Sequence, residues 1–116
     1  MPSESTLGIY IHVPFCVRKC PYCDFYSVPQ TAERIEQYGT ALCRFLRQMQ
    51  TDLPVDTIYF GGGTPSLLSV SLLEEILQTI DKTVSLRQPE ITLECNPATV
   101  NRETLRQLRE IGINRL

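Results

Sequence analysis

Residues 10–25 read Y-I-H-V-P-F-C-V-R-K-C-P-Y-C-D-F. The run Leu7 to Val13, L-G-I-Y-I-H-V, is rich in β-branched and aromatic residues and predicts a buried strand. Pro14 ends it, because proline has no N–H for a ladder. The strand then feeds straight into a loop that carries Cys16, Cys20 and Cys23 at C-x3-C-x2-C spacing. Three cysteines this close present three thiolates to one inorganic centre, and zinc and iron–sulfur clusters both accept thiolates. A structural zinc site normally closes with a fourth ligand, often from a distant C-x2-C or H-x3-H, and no such second pair follows here. A four-iron cluster held by three thiolates leaves one iron open, and an open metal position is where a small molecule binds.

Outward from this loop, the chain alternates strand and helix patterns. Thr31 to about Gln50 places Ile35, Tyr38, Leu42, Phe45, Leu46 and Met49 on one helical stripe, with Thr31 as cap, Glu33 in the first turn and Gly39 weakening the pattern. Asp56 to Phe60 is a second strand that runs into G-G-G-T-P at residues 61–65. A second helix follows, capped by Ser69 or Ser71, with Leu72, Leu73, Ile76, Leu77 and Ile80 inward and capping-box spacing between Ser71 and Glu74. Pro89 precedes a third strand, Glu90 to Cys95, which stops at Asn96-Pro97. A third helix starts near Asn101, uses Leu105, Leu108 and Ile111, and ends at Gly112. Ile113 to Leu116 reads as the start of a fourth strand, cut off. This βαβαβαβ order is that of a parallel α/β sheet with right-handed crossovers, either a barrel or an open doubly wound sheet.

In such folds ligands bind at the carboxyl ends of the strands. The cysteine loop follows strand one, Gly61 to Pro65 follow strand two, and Glu94 with Asn96 ends strand three. Three strand ends thus converge on one site. Consecutive glycines let backbone approach a ligand, or merely form a turn. They are not a phosphate-binding P-loop, because no G-K-[ST] follows.

At 42% hydrophobic and 21% charged residues, the 116-residue chain has the make-up of one small globular domain. A net charge of −2 gives no basis for a nucleic-acid partner. Residues 1–6 form a polar tail with neither a signal-peptide pattern nor an apolar run of spanning length, so no membrane span is expected. Five cysteines, three of them clustered at metal spacing, point to a reducing cytoplasm rather than a disulfide scaffold.

The cysteine spacing, with Tyr22 just before the last cysteine, resembles the cluster motif of the radical S-adenosylmethionine superfamily. The wider string from Tyr10 to Phe25, taken with G-G-G-T-P, is similar to the oxygen-independent coproporphyrinogen III oxidases and their haem-chaperone relatives. The resemblance covers residues 7–116. It implies the first half of a partial TIM-like (βα)6 barrel, truncated at the start of strand four. It also implies a 4Fe–4S cluster on Cys16, Cys20 and Cys23, with S-adenosylmethionine on its open iron. The contacts carried over for that cosubstrate are Tyr10 near its methionyl end, Tyr22 on the adenine side, Gly62, Gly63 and Thr64 at the methionyl amino group, and Glu94. Reductive cleavage would give methionine and a 5′-deoxyadenosyl radical. Implied partners are an electron donor such as flavodoxin or ferredoxin, and haem or a porphyrin, with haem itself as a further bound group.

For Tyr10 the plain alternative is core packing, and for Glu94 a solvated strand end. His12 reads as supporting structure, Cys43 and Cys95 as small buried apolar residues, and Arg18 and Lys19 as offsetting cluster charge or simply solvated. The oxidases carry a fourth cysteine two residues past the last ligand, where this chain has Phe25. That departure favours the haem-chaperone branch, with the decarboxylating oxidase and a zinc-stabilised structural domain as alternatives. A fragment of half a barrel leaves a sheet edge uncovered, so residues 1–116 alone are expected to aggregate or stay partly molten.

Anaerobic reconstitution of the full-length protein is expected to yield about four irons and four sulfides per chain. Alanine at Cys16, Cys20 or Cys23 should abolish them, and alanine at Cys43 or Cys95 should not; iron and sulfide assays decide. Colourless, zinc-loaded protein would identify the structural-zinc alternative.

Overall fold

The computed structural model describes residues 5–16, 28, 29, 32–96 and 100–116. Strand β1 spans Leu7–Val13, β4 Val55–Gly62 and β5 Leu86–Leu93; between them lie the two-residue strands β2, Phe15–Cys16, and β3, Val28–Pro29. The helices are α1, Ala32–Arg47, α2, Val70–Thr83, and α3, Arg102–Glu110, and a 3-10 turn covers Pro65–Leu67. The main sheet is parallel, in the order β1-β4-β5. Thr92 and Arg115 form a further parallel bridge beyond β5. Neighbours in the sheet are therefore neighbours in sequence. Helix α1 packs on α2 and α2 on α3, which puts the helices on one side. A doubly wound sheet reverses its strand order and has helices on both faces. The observed order is singly wound, as in a barrel wall.

Alternation along each strand sorts the side chains. Ile11, Val13, Ile58, Phe60, Ile91 and Leu93 point toward the helices and join one core with Cys43, Leu46, Leu73, Ile76, Leu77, Ile80 and Leu108. The other face carries Tyr10, His12, Thr57, Tyr59 and Glu90, all exposed. Helices α1 and α2 approach closely because residue 39 is glycine: a Cβ there would sit 2.5 Å from Leu72 Cδ1. The glycine that weakens the helical pattern in the sequence is thus buried at a helix–helix contact.

Several expectations are corrected. Phe45 is 65% exposed and lies off the core stripe, whereas Gly39 lies on it, beside Cys43, which is buried as the sequence indicates. Leu105 is likewise exposed. Ser69, not Ser71, caps α2, its Oγ accepting from the Leu72 amide at 3.1 Å, and Ser71 lies inside the helix, so there is no capping box. Strand β5 begins at Leu86, before Pro89, and stops at Leu93, leaving Cys95 outside it. A register shift accommodates the proline: Val55 faces Leu86, but Thr57 faces Glu90, and Gln88 adopts φ 39°. A bulge is one of the few places a sheet accepts proline. The Thr31 cap lies outside the described residues. Asn101 caps α3 through its side chain, and Gly112, at φ 115°, ends it, both as the sequence indicates.

The last residues brace β5. The side chain of Asn114 accepts from the Ile91 amide at 2.8 Å and donates to the Pro89 carbonyl at 3.0 Å. The Asn114 and Arg115 amides both donate to Ile91 O, and Arg115 O accepts from Leu93 N. One amide side chain thus satisfies the backbone beside the bulge. Asn114→Ala removes both partners and is expected to cost about 1–3 kcal/mol. Denaturant unfolding should show the loss, and hydrogen exchange at Ile91 should accelerate.

Candidate functional site

The site is built where β1, β4 and β5 end. Gly61 and Gly62 extend β4 past Phe60 and pair with His12 and Val13. Gly62 adopts φ 110°, which side-chain-bearing residues rarely take. A Cβ at Gly62 would lie 2.7 Å from Val13 O and 2.8 Å from the His12 ring. At Gly61 it would meet the Tyr10 hydroxyl and the Tyr59 ring at 2.9 Å. These two glycines therefore make room for the protein's own atoms before any ligand arrives.

The chain then turns under the cysteine loop. Gly63 N donates to Val13 O at 2.8 Å, and Thr64 N to Phe15 O at 2.6 Å. Thr64 is buried and starts the 3-10 turn, in which Ser66 Oγ accepts from Asn96 N at 3.2 Å. Glu94 follows β5 directly, its amide donating to Phe60 O at 3.0 Å. Its side chain turns back to the glycines: Oε1 accepts from Gly62 N at 3.2 Å, and Oε2 from the Tyr59 hydroxyl at 2.6 Å. Strand ends one, two and three are thus tied to one another by backbone and carboxylate bonds.

A row of aromatic side chains lies beside these bonds. Tyr10, 60% exposed, stacks on Tyr59 with ring centroids 5.8 Å apart and planes 21° from parallel. Its hydroxyl hydrogen-bonds His12 Nδ1 at 3.3 Å. On the helix side, the Tyr38 hydroxyl donates to His12 O at 2.6 Å, and its ring meets Phe15 edge-on at 5.5 Å. Helix α1 thus grips both sides of Pro14, at the entry to the cysteine loop. Burial, with nearby Tyr10 second, pushes the Tyr38 phenol up to about 12. The hydrogen bond to Glu94 is the main cause raising the Tyr59 phenol. Both hydroxyls therefore remain donors at neutral pH. Burial also raises the thiol of Cys95, which is partly buried, and Cys43 is buried in α1.

The structure brings Tyr10, Gly62, Gly63 and Glu94 together at the exposed strand ends, with Thr64 buried beside them. It gives Cys16 a place in β2, beside Pro29 of β3, so the two short strands lie at the root of the loop. Cys20, Cys23, Tyr22, Arg18, Lys19 and Phe25 lie outside the described residues. Among the described residues, no group of three or more His, Cys, Asp or Glu is assembled around a metal position. The amides of Gly62, Gly63 and Thr64 are all engaged within the protein, and the Thr64 carbonyl accepts from Leu67 N, so the group left here for a ligand is an acceptor, the Glu94 carboxylate. An acceptor of this kind fits a cationic amino or sulfonium group and does not fit a phosphate. Two residues of the arrangement escaped the sequence reading, Tyr59 and the hydroxyl role of Tyr38. Period-two alternation was the available signal for Tyr59, since it puts Tyr59 and Gly61 on the same face as Tyr10 and His12.

Known proteins share the sequence and the fold. The chain is 39% identical over 127 residues to the heme chaperone HemW of Haemophilus influenzae, a match covering 100% of this chain and 33% of that protein. It is 37% identical to the heme chaperone HemW of Escherichia coli, covering 95% of this chain and 30% of that protein. It is 32% identical to the mitochondrial radical S-adenosyl methionine domain-containing protein 1 of Danio rerio, covering 99% and 27%. The chain therefore spans a third or less of these relatives' length. Its fold superposes on the radical SAM enzyme coproporphyrinogen III oxidase HemN of Escherichia coli with a TM-score of 0.86 at 26% identity, over 97% of this chain and 27% of that one. The described part is thus an α/β segment of that enzyme's fold, with its strand ends tied together where the sequence puts the chemistry. With the sequence model of the Radical SAM superfamily matching residues 10–116, glycine string and strand ends included, the chain belongs to that superfamily.

Proposed function

We propose that the chain is the N-terminal part of the radical S-adenosylmethionine domain of a haem-chaperone-like protein, working in the cytoplasm. Cys16, Cys20 and Cys23 hold a 4Fe–4S cluster in this reading. Tyr10, Tyr22, Gly62, Gly63, Thr64 and Glu94 hold S-adenosylmethionine, and haem is the cargo. When bound and reduced, by a donor such as flavodoxin or ferredoxin, the cluster supplies one electron to the sulfonium of the cosubstrate.

The observation that carries the reading is the committed state of the glycine amides. Gly62 N–H is held by Glu94 and Gly63 N–H by Val13, which leaves the Glu94 carboxylate beside them as the acceptor for a ligand. An ammonium group is a donor only and needs acceptors. The negative carboxylate adds charge attraction to those hydrogen bonds. Tyr10 presents a ring face beside this acceptor set, a surface that attracts cations. The Gly63–Val13 and Thr64–Phe15 bonds fix the acceptors relative to the root of the cysteine loop. The chaperone reading over the oxidase reading is supported by Phe25, which stands where the oxidases have a fourth cysteine, and by relatives that are themselves heme chaperones.

The full-length protein, reconstituted anaerobically, should retain haem through gel filtration and leave coproporphyrinogen unchanged. Turnover of coproporphyrinogen with decarboxylation would make it an oxidase instead. Gly62→Ala forces a Cβ against Val13 O at a φ that alanine resists. We expect it to weaken S-adenosylmethionine binding at least about tenfold and to cost about 1–3 kcal/mol of stability. Gly112→Ala is the control: its φ is 115°, but its Cβ would have an ordinary 3.6 Å contact far from the strand ends. It should lower stability and leave binding alone, as equilibrium dialysis would show.

A further inference from the structure

Tyr59 sits in the middle strand of the open face with its hydroxyl on Glu94 Oε2 at 2.6 Å. A short hydrogen bond to an ionised acceptor is stronger than a neutral one. The other oxygen of Glu94 accepts from the Gly62 amide at 3.2 Å. Two donors on opposite oxygens hold the carboxylate in one orientation. A carboxylate has about four lone-pair sites, so each oxygen keeps one for a ligand. The Tyr59 ring is held in turn. It stacks on Tyr10 and covers Gly61, where a Cβ would lie 2.9 Å from Tyr59 Cε1. Gly61 thus makes room for the ring, the ring aims the hydroxyl, the hydroxyl fixes the carboxylate, and the carboxylate fixes the Gly62 amide.

We propose that Tyr59 is a positioning residue, which holds the Glu94 carboxylate in the orientation that receives the amino group of an S-adenosylmethionine-class ligand. The assignment rests on the cosubstrate reading above. The raised pKa of the phenol fits this role, because the hydroxyl stays a donor across the neutral range.

Tyr59→Phe keeps the ring stack and removes only the hydroxyl. In the anaerobically reconstituted full-length protein, we expect the S-adenosylmethionine Kd to rise about three- to tenfold, the range that loss of one hydrogen bond produces. Iron content and melting temperature should match the unmutated protein. In a Glu94→Ala background the same substitution should have no further effect, since Tyr59 acts through Glu94. Independently of any ligand, Glu94→Ala should lower the pH at which one tyrosine ionises, read from the absorbance difference spectrum. Unmutated protein that binds S-adenosylmethionine, with Tyr59→Phe leaving the Kd unchanged, would overturn the role of Tyr59 alone, as would a loss that simply adds to that of Glu94→Ala. Unmutated protein that carries its cluster yet binds no S-adenosylmethionine would overturn the cosubstrate reading and this assignment with it.

Discussion

The hydrogen bonds from Gly63 N to Val13 O and from Thr64 N to Phe15 O hold the site together. A buried backbone polar group without a partner costs roughly as much as a lost hydrogen bond. At the end of a strand the ladder stops, and something else must satisfy the last carbonyls. Here the chain that leaves β4 turns under the end of β1 and supplies those donors. The last cysteine of the loop, Cys23, and the first glycine of the string, Gly61, are 38 residues apart in sequence. The two segments share a position because each meets the other's backbone requirement.

This arrangement explains the division of labour across the sheet. One face is closed by α1, α2 and α3 over an aliphatic core, which gives the strands a fixed platform. The other face carries Tyr10, His12, Tyr59 and Glu90, with no helix over them among the described residues. Apolar burial is nondirectional and holds the strands in place. The open face is governed by directional hydrogen bonds: Tyr10 with His12, the Tyr59 hydroxyl donating to Glu94, and the Gly62 amide donating to Glu94. A ligand on this face meets groups that already have defined orientations.

The strand and helix alternation was legible because the apolar periods were clean. Leu7–Val13 matches its predicted bounds, and Asn101 and Gly112 mark the ends of α3 as caps should. Phe45 misled because it falls on the stripe by hydrophobicity, although only the neighbouring helix decides which flank of a stripe is buried. Pro89 misled because the strand absorbs it in a bulge, whose register depends on β4 and not on local sequence. Ser69 and Ser71 are equivalent by composition, and the helix start chooses between them. At the site, the convergence of three strand ends followed from topology alone. The Tyr59–Glu94 bond did not, since it joins residues 35 apart whose only link is strand register.

Gly39 and Leu72 form a pair in which each residue limits what the other can be. Growth at position 39 demands that the Leu72 side chain shift or shorten, so the effects of substitutions at the two positions depend on each other. Recombination has the same constraint. A chimera with a relative that joins the segments anywhere between residues 39 and 72 separates the two partners and risks a collision between helices that each parent avoids. Crossovers before Ala32 or after Thr83 keep the pair intact, and the α1–α2 unit is therefore the natural block in which this chain exchanges sequence.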